Sequence, residues 1–224
     1  METAIQLSDL PPGNTDNTDL FATIADSLVE RGYCILPDAL PAHITDALVR
    51  CQQSVSKDAF HRAGIGRQTD FQHDSRVRSD EICWIDGVLP EGQLWLGWCE
   101  QLRTYLNRHL FMGLFSVESH FACYEPGAFY QRHVDAFVGE GNRVLSMVTY
   151  LNDNWQLEDG GELVLFADEH DTEGTAVLPR LGTLVIFLSE RFPHEVRPAT
   201  RKRLSVASWF RLNGSHQGKI DPPR

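Results

Sequence analysis

Three side chains in this sequence have the types and the spacing to hold a transition metal: His133, Asp135 two residues beyond it, and His194 much later. Two imidazoles and a carboxylate are the ligand set that leaves half of an octahedral Fe(II) shell open for oxygen chemistry. Structural zinc, by contrast, favours four ligands with cysteine among them. In a chain with 9 histidines and 31 acidic residues a His-x-Asp tripeptide is weak by itself, and a surface turn plus a core histidine would fit almost as well. The residues around it raise the odds. Arg203, nine positions past His194, offers a guanidinium for a dicarboxylate bound beside the metal.

The run from Arg203 to Arg211 reads as a strand. If its side chains alternate, Arg203, Ser205, Ala207 and Trp209 share one face, while Leu204, Val206, Ser208 and Phe210 share the other. A charged head followed by two small residues leaves room beside a cation. A buried arginine without a partner costs several kcal/mol, so Arg203 needs a carboxylate from the protein or from a ligand. In Arg143 to Leu151, Val144, Ser146, Val148 and Tyr150 share a face, so Ser146 and Tyr150 have hydroxyls to offer the same ligand. For Tyr150 alone, packing in a β core is an equally good reading.

These residues need a scaffold, and 224 residues suffice for one sizeable core. Apolar residues recur at helical spacing from Leu20 to Val29, from Ile44 towards Phe60, and from Leu94 to Leu110. Short strands are expected at "YCILP", Ile82 to Ile85, Ser119 to Tyr124, Arg143 to Leu151, Glu162 to Phe166, Thr183 to Leu188 and Arg203 to Arg211, with Gly-rich turns between the later ones. Helices first and antiparallel strands afterwards predict a mainly β fold with flanking helices: a jelly-roll core packed against N-terminal helices. The expected organisation is a single domain. Residues 1–19 form a flexible N-terminus, about 20–115 a helical support with a loop at 62–80, about 117–211 the core, and 212–224 a tail.

Composition narrows the partners. A net charge of -11 repels a phosphate backbone, so no nucleic-acid partner is expected. No stretch approaches the ~18 apolar residues of a membrane span, and the first residues have neither a basic nor an apolar leader segment, so a cytoplasmic protein is expected. Five scattered cysteines without a Cys-x-x-Cys pair predict reduced, buried thiols.

The segments "CYEPGAFYQRHVDAF", "RVLSMVTYLNDNW", "GGELVLF" and "LVIFLSERFPHEVRPATRKRLSVASWF" occur in order, preceded by "VRSDEICWIDG". Over roughly residues 78–211 the chain resembles the Fe(II)- and 2-oxoglutarate-dependent prolyl 4-hydroxylases. It is most similar to the branch of the oxygen-sensing prolyl hydroxylases of hypoxia-inducible factor and their stand-alone bacterial counterparts. The resemblance implies a double-stranded β-helix (cupin-like) core. It implies Fe(II) on His133, Asp135 and His194, with 2-oxoglutarate and O2 as cosubstrates and ascorbate as a reductant. Arg203 then falls on the partner of the distal 2-oxoglutarate carboxylate, and Tyr150 on its hydroxyl partner. Tyr124 lies near the cosubstrate, although the stretch from it to His133 is one residue shorter than in the animal enzymes. Arg78, Asp80, Trp84, Tyr130, Arg143 and Trp209 fall on the prolyl-peptide site, with Trp209 bordering the cosubstrate as well.

The implied activity is hydroxylation at C4 of a prolyl residue in a loop of a protein substrate, with 2-oxoglutarate converted to succinate and CO2. Asp135 argues against the halogenating relatives, which lack that carboxylate. The length leaves no room for the accessory regions of collagen hydroxylases, so a compact enzyme, expected to be a monomer, is favoured, with a translation elongation factor as target by analogy. The alternatives are an oxygenase acting on a free amino acid or other small molecule, and a non-catalytic sensor of 2-oxoglutarate or metal.

Overall fold

The computed structural model describes residues 17–63, 76–136 and 142–213. Most of the expected N-terminal segment (1–19), loop (62–80) and tail (212–224) lies outside these residues, as does the glycine turn at 139–141. In chain order the elements are α1 (Thr18–Arg31), β1 (Tyr33–Leu36), α2 (Ala42–Ser54), β2 (His61–Arg62), β3 (Glu81–Trp84) and α3 (Pro90–Leu110). There follow β4 (Ser116–Tyr124), β5 (Tyr130–His133), β6 (Arg143–Tyr150), β7 (Leu163–Leu165), β8 (Thr175–Val177), β9 (Leu184–Leu188), β10 (His194–Val196) and β11 (Arg203–Arg211).

The strands form two antiparallel sheets, one of seven strands in the order β1-β9-β6-β11-β4-β3-β2 and one of four in the order β5-β10-β7-β8. This is the double-stranded β-helix arrangement expected from the order of elements. Alternation decides what each face of the larger sheet meets. Leu145, Met147, Leu184, Ile186, Val206 and Phe210 turn outward onto the helices, where Ile24, Leu48, Trp95, Trp98 and Leu102 are buried. Trp95 and Trp98 stack at 5.5 Å, with the Phe21 ring 5.4 Å from Trp98. Each such aromatic removes enough apolar surface to contribute roughly 2–3 kcal/mol, so the helices brace the sheet from behind. Tyr124, Tyr150, Val185 and Phe187 turn inward, towards Leu163, Leu165, Val177 and Val196 of the smaller sheet.

Helix boundaries differ from the apolar pattern for local reasons. Pro90 occupies the first turn of α3 and starts it ahead of Leu94, because its fixed φ suits that position. Helix α2 stops at Ser54 rather than running to Phe60; Val55 is extended and a short 3-10 turn follows. Gly32 closes α1 in the left-handed region with its amide on the Leu28 carbonyl, whereas Asn17 makes no side-chain cap at the other end. The five cysteines are free and buried. Among the described residues no helix is long and apolar enough to cross a membrane.

Candidate metal centre and adjoining cleft

The smaller sheet brings the two histidines together. His194, first residue of β10, is in register with His133, last residue of β5, and their rings lie 4.2 Å apart. Asp135 follows two residues beyond β5 and faces both: its Oδ1 lies 3.7 Å from His133 Nε2 and its Oδ2 3.6 Å from His194 Nε2. Bonds of about 2 Å to one ion need spacings of this order. Among the described residues this is the only trio of such side chains gathered closely enough to hold an ion.

Backbone carbonyls fix the tautomers. His133 Nδ1 is 2.8 Å from the Gln131 carbonyl and His194 Nδ1 is 3.1 Å from that of Phe192. A carbonyl only accepts, so each Nδ1 carries the proton and each Nε2 presents a lone pair to the centre. Burial and the neighbouring His194 lower the His133 imidazole to about 3, which keeps it neutral and able to ligate. Burial would raise the Asp135 carboxyl, but His194, His133, Arg143 and the Ser146 hydroxyl together hold it below its ordinary value.

Arg203, first residue of β11, is 1% exposed. Its Nε donates to the Gly161 carbonyl at 2.8 Å and its Nη1 to Ser205 Oγ at 3.1 Å. Its Nη2 has no hydrogen-bond partner among the described residues, and neither has the buried hydroxyl of Tyr150. The Tyr124 and Tyr150 rings stand 5.0 and 5.1 Å from the guanidinium carbon. Burial pushes the Tyr150 phenol up to about 12 and raises Tyr124 further, so both stay protonated. A buried cation with one nitrogen unpaired, no carboxylate in contact and a neighbouring hydroxyl also unpaired is complementary to a dicarboxylate ligand. Gly161 permits the approach: at φ +72° a Cβ there would stand 2.9 Å from Ala199 Cβ and 3.3 Å from Arg203 Cδ.

Ser146, expected against the cosubstrate, donates its hydroxyl to Asp135 Oδ2 at 2.6 Å. Val144 does not share its face. The pairing of β6 with β11 slips between Phe210 and Arg211, and that bulge turns Val144 onto the helices. Arg143 consequently reaches inward, its guanidinium carbon 3.7 Å over the Trp209 ring. The buried indole Nε1 of Trp209 has no partner among the described residues.

The remaining expected residues fall into two contact groups, one of Arg78, Asp80 and Tyr130 and one around His120. Arg78 and Asp80 form a two-pronged ion pair at 2.8 and 2.6 Å with the Asp80 side chain fully buried. Burial opposes the Arg78 charge, but Asp80 raises its pKa above the usual value. Arg78 lies over Tyr130, which stacks on His133 at 3.5 Å. Trp84 and Trp209 sandwich His120 at 5.2 Å each. His120 had no spacing signal of its own. Neither had Glu118, whose carboxylate takes Arg143 at 2.8 Å and Arg211 at 2.9 Å. The alternation that turns Tyr124 inward places both on the same face of β4.

The sequence profile of the 2OG-Fe(II) oxygenase superfamily matches residues 119–211. A human prolyl hydroxylase is 31% identical over 80% of this chain and 72% of its own length, and a mouse counterpart 29% over 84% and 81%. Among solved structures, a Pseudomonas putida prolyl-4-hydroxylase is similar at 38% identity and a TM-score of 0.75, covering 86% of this chain and 99% of that one. A Trichoplax adhaerens prolyl hydroxylase, in complex with an oxygen degradation domain peptide fragment of hypoxia inducible factor, reaches 28% and 0.73, covering 87% and 90%.

Proposed function

The chain belongs to the prolyl hydroxylases of the 2OG-Fe(II) oxygenase superfamily, and from that premise we propose that it hydroxylates C4 of a prolyl residue in a protein substrate. The cofactors of the family are Fe(II), 2-oxoglutarate and O2. When bound, they supply the oxidation: one oxygen atom enters the prolyl C–H bond and the other enters the succinate left when 2-oxoglutarate loses CO2. The rest belongs to the side chains. His133, Asp135 and His194 hold the ion. Arg203 pairs with the distal carboxylate of 2-oxoglutarate, Tyr150 adds its hydroxyl, and Tyr124 walls the space. Tyr130, Trp84 and Trp209 offer apolar ring edges to a pyrrolidine ring. Asp80 holds Arg78 over Tyr130, and Arg143 presents its cation to the substrate backbone.

The observation that carries this reading is the half-satisfied Arg203, buried against the ring of Tyr150, whose hydroxyl is also unpaired among the described residues, in the space between the two sheets. The catalytic unit is one domain, about residues 20–211, acting as a monomer. The favoured substrate is a translation elongation factor, by analogy with the bacterial counterparts that the sequence resembles. Anaerobic addition of Fe(II) and 2-oxoglutarate is expected to produce a visible metal-to-ligand charge-transfer band, and its absence would sink the oxygenase reading. Mass spectrometry of proteomes with and without the gene should then find a one-oxygen shift on a protein prolyl residue. Turnover of free amino acids with no such shift would favour a small-molecule substrate, and a band without any turnover a sensor.

A further inference from the structure

The ladder between β5 and β10 fixes both histidines, but Asp135 lies beyond β5 in a bend where no strand pairing holds it. Two buried hydroxyls of the larger sheet do so instead. Ser146 Oγ, on β6, is 2.6 Å from Asp135 Oδ2, and Ser189 Oγ, directly after β9, is 2.9 Å from Ser146 Oγ. Ser146 is 1% exposed and Ser189 is fully buried. The Ser189 amide donates to the Val144 carbonyl, which seats the residue at the end of the β6–β9 pairing. Each hydroxyl has one proton to give. A metal-ligating carboxylate only accepts, so the Ser146 proton goes to Asp135, and the bond between the serines must carry the Ser189 proton to Ser146. The direction is thereby fixed from Ser189 through Ser146 to Asp135, and bonds chained in this way strengthen one another.

We propose that Ser189 is a positioning residue for the metal ligand Asp135. Acting through Ser146, it occupies Oδ2, leaves Oδ1 for the ion, and holds Asp135 as a single-oxygen ligand. The second oxygen is kept out of positions that the reaction leaves to cosubstrate and O2. This inference rests on the metal site of the proposed function.

Mn(II) and Co(II), which need no anaerobic handling, are the probes. Ser189→Ala should lower Mn(II) affinity about tenfold, the lower end of what outer-sphere partners contribute. It should also weaken the visible Co(II) absorption, as Asp135 moves towards two-oxygen, higher-coordinate binding. Ser189→Thr keeps the hydroxyl and should bring both readings within about threefold of the unaltered protein. Ser146→Ala combined with Ser189→Ala should lose no more than Ser146→Ala alone, since the first already cuts the chain. Unchanged Mn(II) affinity and Co(II) spectrum in Ser189→Ala overturn the proposal, and so do losses that multiply in the double variant. If Ser189→Ala does not fold, Ser189→Cys, of similar shape with a weak donor, takes its place under the same criteria. Failure of the unaltered protein to bind either ion would overturn the metal-site reading itself, a result distinct from normal binding that ignores Ser189.

Discussion

Arg203 is a full positive charge held out of water with one nitrogen idle. Replacing a buried charge by an apolar side chain of similar length is often neutral or stabilising. Arg203→Met is therefore expected to leave the thermal midpoint of the ligand-free protein unchanged or higher while abolishing stabilisation by 2-oxoglutarate. In the unaltered protein that stabilisation is about 2.7 kcal/mol at a hundredfold excess over Kd; calorimetric scans with and without 2-oxoglutarate check both parts. His120 carries a pH prediction. Burial and the nearby Arg78 lower its pKa to about 4 from the ordinary 6.5. The folded state keeps the ring neutral while the unfolded chain takes up a proton, so His120 favours folding above pH 6.5 and costs stability as pH falls towards 4. Urea unfolding at pH 7 and pH 4.5 should show His120→Gln losing about 2 kcal/mol less than the unaltered protein over that interval. Arg203 was legible because a cation followed by small alternating residues stands out in a strand. Ser146 was legible as an inward hydroxyl but not in its partner, because strand alternation gives a face and not the neighbour across it.

The larger sheet presents its arginines through Glu118, one buried carboxylate on β4 that serves Arg143 and Arg211 together. Glu118→Ala would strip a shared counter-charge from two cations and should cost about 3 kcal/mol in denaturant unfolding. Arg143→Ala, by contrast, should weaken turnover of a prolyl peptide while sparing 2-oxoglutarate affinity; equal loss of both would remove Arg143 from substrate contact. Elements differ in how far a sequence discloses them. Helices α1 and α3 and strand β11 repeat their period often enough to be read directly. Strands β5, β8 and β10 are three or four residues long, too short for any period to register, yet β5 and β10 carry both histidines. The bulge that turns Arg143 inward is likewise silent, since one slipped residue leaves the apolar pattern of β6 almost intact.

Across the whole molecule the candidate ion joins the two sheets, with two ligands on the small one and a third tied by Ser146 to the large one. Saturating Mn(II) should raise the thermal midpoint by about 5–10 °C and a chelator should reverse it. Amide exchange at β5 and β10 should slow in step with the midpoint. The position of β11 has a further consequence, in time rather than in space. The last described strand lies between β4 and β6, bonded along its length to both. A chain still on the ribosome thus lacks the central strand of its main sheet until every other described strand has been made. At about 5–20 residues per second, the 53 residues from Tyr150, the end of β6, to Arg203, the start of β11, alone occupy roughly 3–11 s, during which the facing edges of β4 and β6 lack their partner strand. Synthesis is therefore the stage at which the strand edges of the larger sheet are most open to pairing with another chain.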